Sequence, residues 1–294
     1  MSENMELNWA ERLRFLSTID PNDMRDRIAQ FRNNDFSQMK ERDISERFFQ
    51  TLLWNGRFIM LTQSCKYSKG VSLYRVRKIG ELDDIKPFHA VSELWEPPKQ
   101  FLKNYGRLNK PHEPVLYTSL LPRTACLETH IDPNDYFGIV KYIAKRDILC
   151  NVIGGSYNYP SLGVTEQRVI ANHELLVSFL REEFSREVTP GNEFQYKVSW
   201  TISRDYFDLP AEWQDAWMYP SVQDRGQYNL CFRPEVAHEV LEAVGVIFCK
   251  LGQNSGLPMI YTLATGTSDG KLEYIDIGSE KQKLLFPEIG LPSK

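Results

Sequence analysis

No feature limits this chain more than its run of short alternating stretches, which starts near residue 71 and never settles into a repeating strand–helix–strand rhythm. Val71-Ser72-Leu73-Tyr74-Arg75-Val76-Arg77 alternates apolar and polar side chains, as a half-buried strand does. Pro114–Ser119, Phe137–Lys145, Ile148–Ile153 and Tyr228–Phe232 also read as strands, and Gln195–Arg204 alternates in the same way. Pro258–Ala264 and Lys271–Ile277 read as a closing strand pair, joined by the turn Ser268-Asp269-Gly270. Helices fall irregularly between them. Pro122 suits a first helical turn ahead of Thr124–Thr129. Thr165–Arg168 opens a long helix whose buried face is Val169, His173, Leu176, Val177, Leu180 and Phe184. Ala211–Met218 reads as helix or turn, Pro234–Ala243 as a short helix, and Leu94–Tyr105 and Ile153–Gly163 as loops. This mixture predicts an α+β fold and not a doubly wound sheet.

Residues 6 to 55 differ in texture. Leu7, Trp9, Leu13, Phe15 and Leu16 stand among many charges, and Asp20-Pro21-Asn22-Asp23 signals a turn or helix cap. Helices are expected over Met24–Phe31 and Ile44–Leu53. The domain organisation read from this is a helical extension over 1–70 and a catalytic domain over 71–294.

Bulk properties exclude several classes. A net charge of −4 lacks the basic excess of a nucleic-acid binder. No apolar run is long enough to span a bilayer, and Met1-Ser2-Glu3-Asn4-Met5-Glu6 lacks the pattern of a secretory signal, so a cytoplasmic protein is expected. The five cysteines are scattered and form no Cys-x-x-Cys pair, so reduced thiols are expected and not a disulfide framework or zinc site. The five histidines show no metal-binding spacing, and there is neither a phosphate-binding loop nor a Gly-x-Gly-x-x-Gly turn. A nucleotide bound here is a substrate and not a resident cofactor.

The candidate chemistry is spread over distant segments. Arg75, on a strand, has a guanidinium able to fork onto two oxygens of a diphosphate, though a strand arginine alone is more often a surface residue. Gly106-Arg107-Leu108-Asn109 reads as a sharp turn presenting a basic and an amide side chain. Glu128, near a strand end with a Tyr and an Arg, is a carboxylate that would stabilise a cationic sugar if the reaction is N-glycosidic cleavage, though a helical Glu alone is more often an exposed surface residue. Tyr117 and Tyr219 can stack on an aromatic ring, although with fourteen tyrosines any one may equally be a core residue. Ser221 suits a hydrogen bond to phosphate or ribose; with no Gly-x-Ser-x-Gly turn or partner histidine it is a poor nucleophile. Tyr-Pro-Ser occurs at 159–161 and at 219–221. The second is preferred because a loop and a strand carrying Asn229 follow it, and Ser161 stays the alternative.

In order, Tyr74-Arg75, Gly106-Arg107-Leu108-Asn109, Leu116-Tyr117-Thr118-Ser119, Ala125 with Glu128, and Tyr219-Pro220-Ser221 with Asn229 resemble the RES family, named for its Arg, Glu and Ser. The resemblance spans about residues 71–250. It implies an ADP-ribosyltransferase-like mixed sheet core, with Arg75 (or Arg107), Glu128 and Ser221 as catalytic residues. Tyr74, Arg107, Asn109, Tyr117, Tyr219 and Asn229 would bind substrate, with no metal. The activity implied is that of a bacterial toxin consuming NAD by phosphorolysis or hydrolysis, with phosphate or water as acceptor. The implied partners include an antitoxin protein and a second copy in a homo-oligomer, with no membrane and no nucleic acid. Other readings on the same fold are a mono-ADP-ribosyltransferase and a non-catalytic nucleotide-binding protein. The chain departs from the family in Leu108 where an aromatic is usual, in the head over 1–70, and in an expanded segment from about 135 to 195.

Overall fold

The computed structural model describes residues 15–60, 62–79, 88–252 and 258–290. In chain order, the elements are α1 (Pro21–Arg32), α2 (Glu41–Leu52), β1 (Leu53–Trp54), β2 (Arg57–Phe58), β3 (Gln63–Tyr67), β4 (Ser72–Ile79), β5 (Leu116–Ser119), α3 (Pro122–Glu128), β6 (Tyr136–Ala144), β7 (Ile148–Val152), α4 (Gln167–Ser185), α5 (Phe194–Tyr206), β8 (Ala216–Pro220), β9 (Tyr228–Phe232), α6 (Pro234–Val240), β10 (Leu241–Leu251), β11 (Pro258–Gly266), β12 (Leu272–Ile275) and α7 (Glu280–Leu285). The fold is α+β, as the sequence predicts. The apolar positions Leu7, Trp9 and Leu13 lie outside the described residues.

Two compact units form. The helical unit gathers the chain up to Ser64 with Lys103–Pro111 and Asn151–Pro210. Asp20 caps α1 by accepting the Asn22 N–H, with Pro21 in the first turn. The core of the unit is aromatic: Phe31 meets Phe179 edge-on with centroids 5.3 Å apart, and Phe48 meets Tyr206 at 5.4 Å. All six apolar-face positions expected on α4 are buried. Glu183 is 2% exposed and is held by Arg32 at 3.2 Å and Arg186 at 2.8 Å. Such a carboxylate is tolerated inside only because it is paired.

The sheet unit gathers Cys65–Leu102, His112–Cys150 and Ala211 onward. Ten strands run in the order β12-β11-β10-β6-β4-β5-β9-β8-β7-β3. The pairings β12–β11, β11–β10, β10–β6, β6–β4, β4–β5, β5–β9 and β9–β8 are antiparallel. One face of its centre is packed with Val76, Phe137, Ile139, Ile247, Leu263 and Phe286. Asp215 ties the start of β8 to the β6–β7 turn. It accepts from Arg146 at 2.8 and 2.9 Å and from the Leu149 N–H at 2.8 Å, and it is 5% exposed. Asp215→Ala leaves the Leu149 N–H without its acceptor and removes two of the bonds of the Arg146 guanidinium, which keeps Glu239 and the Asp147 carbonyl. It should cost about 2 kcal/mol, read as a lower urea midpoint at unchanged slope.

Three segments differ from the sequence reading. Residues 195–204 are not a strand but lie in α5. The alternation arises from Ser199, Thr201 and Ser203, which are buried and bond back to Tyr196, Lys197 and Trp200 carbonyls of their own helix. Residues 216–218, expected as helix or turn, begin strand β8, whose first four residues are all buried and so show no period of two. The helix from Pro234 stops at Val240, and β10 follows at once. The short β1–β2 pair, β3 and α7 also appear where no element was expected. Among the described residues no helix is long and apolar enough to cross a membrane, and no group of three His, Cys, Asp or Glu could hold a metal.

Candidate active site

The candidate site is laid out by sheet register. Tyr74 pairs with Ser119, Ser119 with Asn229, and Asn229 with Tyr219, so one residue from each of β4, β5, β9 and β8 forms a row. Directly paired residues project to the same face, and Ser221, two beyond Tyr219, follows them. The Ser119 hydroxyl donates to Asn229 Oδ1 at 2.6 Å. Asn229 is 2% exposed, and among the described residues its buried Nδ2 has no hydrogen-bond partner. An amide donor left so is costly unless something else meets it.

Helix α3 leaves the end of β5 through Leu121 and Pro122 and packs on β4, where Thr129 Oγ1 lies 3.5 Å from the Val76 carbonyl. Its last residue is Glu128. Three donors converge on Glu128 Oε1: the Ser221 hydroxyl at 2.5 Å, the Val222 N–H at 3.0 Å and the Gln223 N–H at 3.5 Å. The Ser221 oxygen in turn accepts the Asp224 N–H at 2.9 Å, and the Thr124 hydroxyl donates to Asp224 Oδ2 at 2.7 Å. The loop after β8 thus clasps the end of α3, and the carboxylate is fixed in one orientation before any ligand arrives. Charge-assisted bonds of this kind are the strong ones.

Arg75 leaves β4 on the opposite side from Tyr74 and Val76. There it hydrogen-bonds the buried Tyr142 hydroxyl, whose proton burial makes hard to remove and whose O–H also reaches the Leu94 carbonyl. Among the described residues, Arg75 Nη1 is buried without a hydrogen-bond partner. Tyr74 pairs with Ser119, the last residue of β5, one residue before Arg75. Tyr117 and Tyr219 meet edge to face with centroids 6.3 Å apart.

The structure therefore brings Glu128 and Ser221 into contact, sets Tyr74, Tyr219 and Asn229 in the adjoining row, and turns Arg75 to the other face of β4. Arg107 and Asn109 belong to the helical unit. The tight turn is there, with the Gly106 N–H donating to the Asn109 carbonyl at 2.8 Å. The Arg107 guanidinium, however, donates to the Phe184 and Arg186 carbonyls, capping the end of α4. Asn109 is buried and its Nδ2 donates to the Lys110 carbonyl. Ser161 is exposed on a single 3-10 turn of the helical unit and donates to Asn158. Sequence reading missed Ser119, Thr124 and Asp224. Only Asp224 left a signal, standing three residues after Ser221, the spacing at which a serine oxygen takes a backbone N–H.

A family model, the RES domain, matches residues 72–247. No curated protein matches the chain.

Proposed function

The chain belongs to the RES domain family, and from that premise we propose that it consumes NAD, cleaving the bond between nicotinamide and ribose as a bacterial toxin. RES domains are associated with NAD-acting enzymes. The observation that carries the finer reading is the Glu128 carboxylate, held by the Ser221 hydroxyl and two backbone amides.

In this reading the C1′–N bond of the ribose breaks and nicotinamide leaves with the bonding pair as a neutral molecule. The ribose carbon becomes cationic, and the nearby fixed carboxylate stabilises it as that charge develops. An oxygen of inorganic phosphate or of water then bonds to the carbon. Because the leaving group is already cationic in NAD, one carboxylate suffices where glycosidases use two. Asn229 Nδ2, without a partner among the described residues, donates to a ribose oxygen or to the nicotinamide carbonyl. Arg75 lies on the other face of β4, so its part is to support the strand through Tyr142. Tyr117 and Tyr219 flank the ring. Arg107 must release two carbonyls before it can touch a phosphate.

The test is chromatography of purified protein incubated with NAD, with and without inorganic phosphate. Nicotinamide should appear. ADP-ribose 1″-phosphate formed only with phosphate identifies phosphorolysis, and ADP-ribose in both samples identifies hydrolysis. No nicotinamide in either sample overturns the proposal. Ser221→Ala removes one donor to Glu128 and leaves the Val222 amide. Turnover should fall about 10- to 100-fold, less than for loss of a full transition-state contact.

A further inference from the structure

The row of paired residues that carries the candidate site does not stop at Tyr74. Tyr74 pairs on its other side with Lys141 of β6, and Lys141 pairs with Gly245 of β10. Lys141 therefore projects to the same face as Tyr74, Ser119 and Asn229, one strand, or about 4.8 Å, beyond Tyr74. It is a lysine inside the protein, its side chain 6% exposed. Its ammonium donates to Glu288 Oε2 at 2.9 Å and to the Leu285 carbonyl at 3.1 Å, and lies 5.8 Å from the centre of the Phe286 ring. All three partners belong to the end of α7 and the residues after it, outside the stretch 72–247 that matches the family.

Burying a charge is costly, and an apolar pair of similar volume would hold this segment to the sheet without that cost. The ion pair is also lopsided. The ammonium is buried, whereas the Glu288 side chain is 37% exposed. The carboxylate can turn away into water, and the ammonium cannot follow it. An ammonium has three donors, and among the described residues two of them are taken here. Burial makes the Tyr74 phenol harder to ionise and the Glu288 charge adds to this, so that charge is felt in the row.

We propose that the Lys141 ammonium is a binding subsite for a phosphate group at the end of the site row, with Glu288 as a built-in occupant that the phosphate displaces. The inference rests on the reading above in one respect, that a nucleotide lies along the row. With Arg75 turned to the other face of β4, the row needs a cation of its own for a diphosphate. Lysine meets phosphate as a point charge, and a phosphate oxygen can replace the Glu288 oxygen while the bond to the Leu285 carbonyl stays. The phosphate belongs either to the diphosphate of the dinucleotide or to the inorganic phosphate that accepts the ribose. In both cases the segment around Glu288 competes with it and lowers its affinity.

The experiment is calorimetric titration of the purified full chain with inorganic phosphate and, separately, with ADP, for wild type, Glu288→Gln and Lys141→Met. Glu288→Gln keeps an oxygen for the ammonium and removes the competing charge, so Kd should fall about tenfold. Lys141→Met should raise Kd at least tenfold, the effect of losing a hydrogen bond to a charged group. A purely structural bridge would not respond in this way, because breaking it from either side would weaken binding alike. Changes seen with ADP only assign the subsite to the diphosphate, and changes with inorganic phosphate assign it to the acceptor. Should Lys141→Met fail to fold, Lys141→Met combined with Glu288→Leu replaces the pair by apolar groups and should bind as weakly while staying folded. Unchanged or weaker binding of both ligands in Glu288→Gln overturns the proposal. So does wild-type affinity without Lys141, or no binding by any of the proteins. Tighter phosphate binding by Glu288→Gln in a chain that leaves NAD intact would keep the subsite and remove the proposed function. NAD cleavage with affinities that neither variant moves would do the reverse.

Discussion

Glu128→Gln should lower NAD turnover by about 10²- to 10³-fold or more while leaving the protein folded. Glutamine has the shape of glutamate, and its carbonyl oxygen can still accept the Val222 N–H and the Ser221 hydroxyl now made to Oε1. The clasp between α3 and the loop after β8 therefore survives. What disappears is the negative charge, and charge matters most at the transition state, where the ribose is cationic. The loss should fall on kcat with KM nearly unchanged, because the ground-state contacts to the rest of NAD remain. Glu128→Ala is the harsher change. It orphans the donors that converge on Oε1, so stability should also fall by about 1–3 kcal/mol. Thermal melting separates the two effects: the glutamine variant should melt close to wild type, and the alanine variant several degrees lower. A glutamine variant that turns over NAD within a few-fold of wild type would remove Glu128 from the chemistry.

Helix α4 was legible because one side of it is apolar and buried, and the spacing from Val169 to Phe184 is the direct imprint of that. Strand β4 was legible from the polar residues Ser72, Arg75 and Arg77 set among apolar ones, although it buries Leu73 on one face and Val76 on the other. Buried elements carry no such imprint. Strand β10 lies between β6 and β11, its residues Val244 to Cys249 are all buried, and it follows α6 at Leu241 with no turn residue between them. Helix α5 misleads for the opposite reason: its buried hydroxyls satisfy themselves on their own backbone, so polar letters stand where apolar ones are expected. The helical unit draws on three separate stretches of the chain, which no linear reading of composition brings together.

The site was legible as residue types and not as contacts. Glu128 and Ser221 are 93 positions apart, and only the antiparallel row from β4 to β8 brings the loop after β8 over the end of α3. Register also decides which way Arg75 points, and one residue more or less would have exchanged it with Tyr74. For Arg107 the turn chemistry around Gly106 was readable. Its engagement at the end of α4 was not, because the carbonyls it caps lie 77 and 79 residues away.

Gly245→Ala should be the most damaging single methyl in the sheet unit, at about 3–5 kcal/mol, from overpacking and backbone strain together. The pairing of β10 with β6 slips by one residue between Ala243 and Gly245, a bulge in the middle of the sheet. At that slip Gly245 has a φ of 155°, which side chains rarely adopt, and a Cβ there would sit 2.2 Å from the Ala264 carbonyl oxygen and 3.0 Å from Phe286 Cζ. Neither neighbour can yield. Ala264 is paired with Val246 on β10 and with Tyr274 on β12, and Phe286 is fully buried in the core of the unit. The cost is a large share of the roughly 5–15 kcal/mol that holds a typical protein folded, so the variant should accumulate poorly and unfold at much lower urea. Gly270→Ala is the matching control. Its φ of 80° is also positive, but nothing lies within 4 Å of its Cβ, so only the backbone term, about 1 kcal/mol, applies. Equal urea midpoints for the two variants would mean that β10 can slide off its bulge. A collapse confined to Gly245→Ala would show that the sheet carrying Arg75 and Asn229 depends on one residue that has no side chain.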